Sequence, residues 1–114
     1  MAKSLNFRQF AQPTLPITMN DAAETVFTVT APNVALVERL QANQDSIAAT
    51  FERGDKSSLD EIWALAADLI SCNREGRTVT AEDLKATYGM TYPMLYAFLV
   101  AYGEFIDEIE SAKN

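Results

Sequence analysis

The stretch Ala86–Ile109, ATYGMTYPMLYAFLVAYGEFIDEI, decides the architecture of this 114-residue chain. Its first eighteen residues, as far as Gly103, contain no Asp, Glu, Lys or Arg, and they hold all four tyrosines of the protein. Thr91 is suited to cap a helix that Pro93 enters in its first turn. From there apolar residues recur at helical spacing on more than one face. This pattern predicts a helix buried in its own domain or against a partner.

The side chains of this predicted helix fall into two sets. The first set follows the apolar stripe and is predicted to be core: Leu95, Phe98, Leu99, Tyr102, Phe105 and Ile106. Helical spacing places Tyr96 on another side, and we expect it to bind a protein partner together with Met94, Val100 and Tyr92. For the tyrosines a second interpretation stays open, in which each ring lies on the core with its hydroxyl at the edge.

Two further main helices are predicted upstream. Pro32 is expected to open the first, which should end at Gly54 as a C-terminal glycine cap. Ser58–Glu61 has the spacing of a capping box for the second, which should end at Gly76. The predicted core positions of the second helix include Ile62, Trp63 and Leu69.

A short helix is predicted between these and the last one. Thr80–Asp83 has capping-box spacing, and Gly89 should close the helix. A short helix, a turn and a longer helix also form the outline of a helix-turn-helix. The second helix, however, offers Tyr92, Met94 and Tyr96 and no Arg or amide for reading bases, so nucleic-acid binding is not expected.

The N-terminal quarter predicts a β-hairpin. Thr14–Met19 and Thr25–Thr30 alternate apolar and polar residues around the turn-forming Asn20–Glu24. Pro16 confines the first strand to an edge. The predicted fold is α+β, mainly α: a hairpin over residues 13–30, then three main helices and one short helix over 31–112, in a single domain of residues 1–114. Residues 1–12 are expected to be a flexible arm or an edge strand.

The composition is acidic, with sixteen Asp and Glu against nine Lys and Arg and a net charge of −7. This disfavours binding to phosphate backbones and suits neutral or basic partners. Cys72 is the only cysteine, so no internal disulfide is expected, and we predict that its thiol is half-buried and structural. The first residues contain no apolar signal segment, and a cytoplasmic location is the expectation.

Catalytic chemistry has few candidates in this chain. There is no histidine, and one cysteine does not make an ordinary zinc site. Adjacent acids occur at Asp60/Glu61, Glu82/Asp83 and Asp107/Glu108, but helix starts and solvated helix ends are where acids are expected for structural reasons. We therefore predict no catalytic, cofactor or metal site. An enzyme would need two acids with raised pKa values in one pocket.

The order of segments resembles the tail assembly chaperones of long-tailed bacteriophages and prophages. The resemblance is carried by TLPIT at 14–18, VTAPNVALVERL at 29–40 and EDLKATYGMTYPMLYAFLVAYGEFI at 82–106. The last helix of those small acidic proteins has a pattern similar to Phe98, Tyr102, Phe105 and Ile106. The resemblance implies a non-enzymatic protein, without a cofactor, that binds the tape measure protein during tail assembly in the bacterial cytoplasm, as a homo-oligomer.

The resemblance also implies a product in two lengths, made by a −1 ribosomal frameshift near the stop codon. The peptide Ala112-Lys113-Asn114 is the one that codons containing the slippery heptamer A-AAA-AAC would encode. The alternative function is an acidic protein-binding adaptor or regulator that masks a basic or apolar surface of its partner. Binding by such an adaptor should weaken sharply with salt, because exposed charges are screened.

Overall fold

The computed structural model describes residues 13–112, which form an antiparallel hairpin followed by helices. The predicted mainly α, α+β fold class is confirmed. The predicted arm at residues 1–12 lies outside the described residues. The elements in chain order are β1 (Leu15–Thr18), β2 (Val26–Val29), α1 (Val34–Ala42), α2 (Gln44–Arg53), α3 (Leu59–Ile70), a π-helical turn (Asp83–Thr87) and α4 (Tyr92–Ala112).

The hairpin is held by its turn and by its buried face. The Asp21 carboxylate accepts hydrogen bonds from the Thr25 hydroxyl and, at 2.8 Å, from the Thr25 backbone N–H, and these bonds lower the pKa of Asp21. The register pairs Ile17 with Phe27, and Phe27 is fully buried. A shift of one residue would turn that ring to solvent, so burial of alternate β2 residues fixes the pairing.

Pro16 occupies a position where its missing N–H costs no bond within the hairpin. Its partner Thr28 directs its backbone groups outward, donating to Glu75 Oε1 at 2.8 Å and accepting from the Arg74 N–H at 3.0 Å. Pro16 therefore also faces outward, on the opposite edge, as expected for an edge proline. The segment around Arg74 covers the outer edge of β2, where Val29 pairs with Asn73.

The first predicted helix is two helices in the structure, and it begins later than expected. Helix α1 begins at Val34 rather than at Pro32, and Asn33 caps it by accepting the Leu36 N–H at 2.9 Å on its side-chain oxygen. The break lies at Asn43, whose side-chain amide donates to the Arg39 carbonyl at 2.8 Å. This local bond competes with continuation of the helix, which is the physical reason for the wrong prediction. The predicted end at Gly54 is confirmed, with φ of +71°.

Helix α3 begins directly after Ser58, as predicted, but it lacks the predicted capping bond and ends earlier than expected. Ser58 has φ −103° and ψ 9°, not the extended backbone of a capping residue, and its side chain makes no capping bond. The helix ends at Ile70 rather than Gly76. The Ser71 hydroxyl then donates to the Ala67 carbonyl at 2.8 Å and accepts the Val79 N–H at 2.9 Å, which turns the chain back toward the hairpin.

The second predicted capping box does form. Thr80 Oγ1 accepts the Asp83 N–H at 3.1 Å, and Asp83 Oδ2 accepts the Thr80 N–H at 3.0 Å. The segment that follows closes at Gly89, as predicted, with φ of +65°. A Cβ at Gly89 would lie 2.9 Å from the Asn20 carbonyl oxygen, so only glycine allows the hairpin turn to approach this closely.

The core lies between the hairpin, α3 and α4. Helix α3 supplies much of it, since seven of its twelve residues are buried. Most of the predicted core residues are buried: Ile62, Trp63, Leu69, Leu95, Phe98, Tyr102 and Phe105. The other two, Leu99 and Ile106, are half-buried and pack against this cluster.

Candidate partner-docking surface

Helix α4 presents one buried side and one open side. Thr91 caps it as predicted, accepting the Met94 N–H on its hydroxyl at a long 3.4 Å. The side opposite the core exposes Tyr96 and Val100, whose accessible fractions are 50% and 45%. They lie four residues apart and are therefore neighbours on one helix face. Two large apolar side chains thus face solvent one turn apart on the longest helix of the described residues.

An open groove separates α2 from α4, and we call it the α2–α4 groove. Phe51 forms part of its floor, with its ring centroid 5.2 Å from that of Tyr92 and 5.0 Å from that of Tyr96. The groove has a volume of about 260 Å³. Its lining is mostly apolar: Leu40, Gln44, Ile47, Ala48, Phe51, Glu52, Tyr96, Leu99, Tyr102 and Gly103.

A second groove, the β1–α4 groove, runs along the other flank of α4. Its volume is about 350 Å³. Three methionines and one phenylalanine contribute flexible and aromatic surface, and no lining residue is charged. The lining consists of Leu15, Pro16, Ile17, Thr18, Met19, Met90, Met94, Ala97, Phe98 and Ala101.

The four residues predicted to bind a partner do not share one surface, which corrects the predicted docking side. Met94 lines the β1–α4 groove, whereas Tyr96 lines the α2–α4 groove. They are two residues apart, which is about 200° around an α-helix, so they point to nearly opposite sides. Val100 belongs with Tyr96 on the open face. Tyr92 is half-buried, and its hydroxyl donates to the Thr50 carbonyl at 3.2 Å.

The contribution of α2 to this surface was not predicted as part of the site. Ile47 and Phe51 of α2 are not among the residues that the sequence predicts to bind a partner. Both are half-buried and line the open groove. Their spacing by four residues indicates that both lie on one face of a helix. It does not indicate whether a neighbouring helix covers that face.

Charge on the open side is entirely negative along α4. Helix α4 contains four acids, all exposed, and no Lys or Arg. Within residues 13–112 the structure contains one ion pair, Arg39–Asp68, on the α1–α3 side. Within those residues, the carboxylates of α4 form no ion pair. The four acids are Glu104, Asp107, Glu108 and Glu110.

Features of a reactive centre are missing from the described part of the chain. Residues 13–112 contain no group of three His, Cys, Asp or Glu side chains placed to hold a metal ion. Glu52 is the only carboxylate lining either groove. The α2–α4 groove, at about 260 Å³, is slightly smaller than the roughly 300–1,000 Å³ typical of small-molecule sites, and the β1–α4 groove, at about 350 Å³, lies at the lower end of that range.

No helix among the described residues, including the 21-residue α4, combines the length and the apolar character that crossing a bilayer requires.

Two ionisable side chains with shifted pKa values are Tyr102, which is buried, and Cys72, which is half-buried. The Tyr102 hydroxyl is buried without a hydrogen-bond partner, and burial raises its pKa. The half-buried Cys72 thiol also has a raised pKa, first because of burial and then because of Asp68. A raised pKa keeps the thiol protonated at neutral pH, which fits the structural role predicted for it.

The chain matches no protein-family model, and neither the search of curated proteins nor that of solved structures finds a significant match.

Proposed function

We propose that this protein is a non-enzymatic tail assembly chaperone of a long-tailed phage or prophage, and that it binds the tape measure protein. The observation that carries the proposal is the open side of α4, where Tyr96 and Val100 are about half exposed beside an apolar groove. The sequence resemblance supplies the class of partner. Exposed aromatic and aliphatic side chains next to a groove are typical of protein interfaces.

The geometry supports capture of helical segments. A helix that buries an apolar stripe presents anchors at intervals of three or four residues, and a groove beside a helix face accepts such anchors. Tape-measure-like partners carry long apolar helical stripes that would aggregate if left exposed before assembly. A small acidic protein that covers those stripes keeps the complex soluble, because its own exposed surface carries net negative charge.

The test is co-expression with the tape measure protein encoded near the same gene. The chaperone should co-purify with it and raise its soluble fraction, whereas Tyr96→Asp should reduce both by about tenfold. This factor corresponds to about 1.4 kcal/mol of binding free energy. Val26→Asp is the matched control, because Val26 is similarly exposed, at 44%, but lies in the hairpin. Equal loss from both variants, or no co-purification of the wild type, contradicts the proposal.

The second candidate is an acidic adaptor that masks a basic surface, favoured by the exposed carboxylates of α4, which form no ion pair with any residue of 13–112. The two candidates differ in their response to salt. Complexes held only by exposed charges weaken strongly between about 0.05 and 0.5 M salt, while apolar docking persists. Complete loss of a partner at high salt, together with unchanged binding by Tyr96→Asp, favours the adaptor.

A further inference from the structure

We propose that the α2–α4 groove binds an amphipathic helix whose apolar stripe is flanked by Lys or Arg. The inference rests on the proposed function for the helical nature of the partner, and it deepens that function by naming the chemistry of the bound segment. It is carried by the apolar floor of the groove and by the sign of the charge around it.

The floor provides places for apolar anchors. Phe51 and Leu99 are half-buried and line the groove without closing it. Tyr96 stands at its edge, 5.0 Å from Phe51 between ring centroids. A volume of about 260 Å³ accepts a small number of large side chains, such as those that one face of a helix presents over two turns.

The rim is acidic on both helices. On α2, Glu52 lines the groove, and Asp45 lies seven residues earlier, two turns away on the same side. On α4, Gly103 lines the groove, and Asp107 and Glu110 follow it by one and two turns. All four carboxylates belong to exposed residues.

The acidic groups concentrate at one end of the groove. Gln44, the neighbour of Asp45, lines the groove together with Gly103, which lies one turn before Asp107. The other end differs, since the Lys56 ammonium lies 5.5 Å from the ring centroid of Tyr92 at the start of α4. The bound helix should therefore place its basic residues beside Asp45 and Asp107, beyond the apolar anchors.

Charge also argues against a second copy whose α4 helix runs parallel to the first. Two copies meeting through this face in that orientation would bring together the carboxylates of both α4 helices, and juxtaposed like charges oppose association. A partner with the opposite charge gains attraction along the same rim, and it associates faster at low salt.

The test uses two labelled synthetic helices of about 18 residues, long enough to form helix on binding. Both carry the same leucine stripe, and the flanking positions are all Lys in one peptide and all Glu in the other. Fluorescence anisotropy should show the Lys peptide binding at least about tenfold more tightly at low salt, and the difference should shrink as salt is added. Equal affinities, or no binding of either peptide, overturn the inference.

Charge reversal locates the site. The double variant Asp45→Lys/Asp107→Lys should reverse or abolish the preference for the Lys peptide. The double variant Glu38→Lys/Glu82→Lys changes the net charge equally at exposed residues outside the groove and should retain it. If both double variants change the preference equally, the effect is one of net charge and the groove is not the site.

Other occupants give distinct results. A dimer that dissociates on Tyr96→Asp and binds neither peptide would assign the groove to a second copy. Tight peptide binding only after removal of residues 2–12, which contain Lys3, Arg8 and no acid, would assign it to the chain's own N-terminal segment. Either result overturns the inference.

The two proposals can fail separately. If the protein does not discriminate between the peptides but still co-purifies with the tape measure protein, the inference fails and the chaperone function stands. If the protein discriminates between the peptides but does not bind the tape measure protein, the proposed chaperone function fails and the groove remains a site for basic helices.

Discussion

Helix α3 and the pair α1–α2 pack on the same core, yet they are buried to very different extents. Helix α3 has seven buried residues of twelve, whereas α1 has none and α2 has only Thr50. Helix α3 lies inside the core and contacts it over much of its circumference. The α1–α2 pair covers the core from one side and leaves the α2–α4 groove open. Stability is therefore concentrated around α3, and binding capacity around α2 and the outer side of α4.

The largest effect is expected from placing a negative charge on the buried side of α4, compared with the same charge on its open side. Phe98→Asp buries a carboxylate in the core next to Tyr102, whose ring centroid is 5.5 Å from that of Phe98. Burial of an unpaired charge costs several kcal/mol, enough to unfold a small domain. Tyr96→Asp places the same charge on the open side and should retain the fold. Circular dichroism melting compares them, and unfolding of Tyr96→Asp would show that the open side is part of the core.

The next largest effect on the free energy of unfolding is expected from truncating a leucine of α3, compared with truncating a leucine of α1. Leu69→Ala on α3 removes a fully buried side chain and should lower the free energy of unfolding by about 2–5 kcal/mol. Leu40→Ala on α1 removes a half-buried side chain that lines the open groove, and it should cost about 1 kcal/mol or less. Urea denaturation measures both. Similar losses would mean that α1 is held as tightly as α3 and that the comparison fails.

Removing either of two tyrosine hydroxyls of α4 should have a smaller effect, and the two changes should be opposite in sign. Tyr102→Phe removes a buried hydroxyl that has no partner and should raise the free energy of unfolding by about 1 kcal/mol. Tyr92→Phe removes the bond to the Thr50 carbonyl at 3.2 Å and should lower it by about 0.5–1.5 kcal/mol. Thermal melts of the two variants should shift in opposite directions. A destabilised Tyr102→Phe would indicate that the hydroxyl has a partner, such as a buried water.

The smallest expected effect is a dependence on alkaline pH. Burial raises the pKa of Tyr102, so above about pH 10 the unfolded chain loses a phenolic proton that the folded chain keeps. The unfolded state then binds fewer protons, and stability falls as the pH rises. Cys72, with its raised pKa, acts in the same direction. Urea melts between about pH 8 and 11 measure how far the free energy of unfolding falls with rising pH. This fall should be shallower for Tyr102→Phe than for the wild type, and shallowest for Tyr102→Phe/Cys72→Ala. Parallel curves for all three proteins would contradict this origin.

Most of the fold could be predicted because its signals are local. Alternation predicted the hairpin, and residue type predicted the caps at Thr80, Thr91 and Gly54, which the structure confirms. Two failures occurred at single polar side chains. Asn43 breaks a helix that periodicity favours, and Ser58 fails to cap a helix whose spacing suggests a capping box.

The docking surface was predicted less completely than the fold. Helix spacing correctly separates Tyr96 from the core stripe, but assigning Met94 to the same side ignored the angle of about 200° between them. Which neighbours flank α4 is not a local property. The hairpin approaches one flank and α2 the other, and each flank carries its own groove.

The sequence by itself determined the hairpin, most of the helices, the caps at Thr80, Thr91 and Gly54, the apolar stripe of α4 and the acidic composition. Propensity, periodicity and charge depend on residues near each other along the chain. The tertiary structure alone decided that α3 is enclosed, that α1–α2 leaves a groove open, and that Met94 and Tyr96 face different neighbours. These outcomes depend on how distant helices share a limited core, since each apolar face is buried only where another element is placed to cover it.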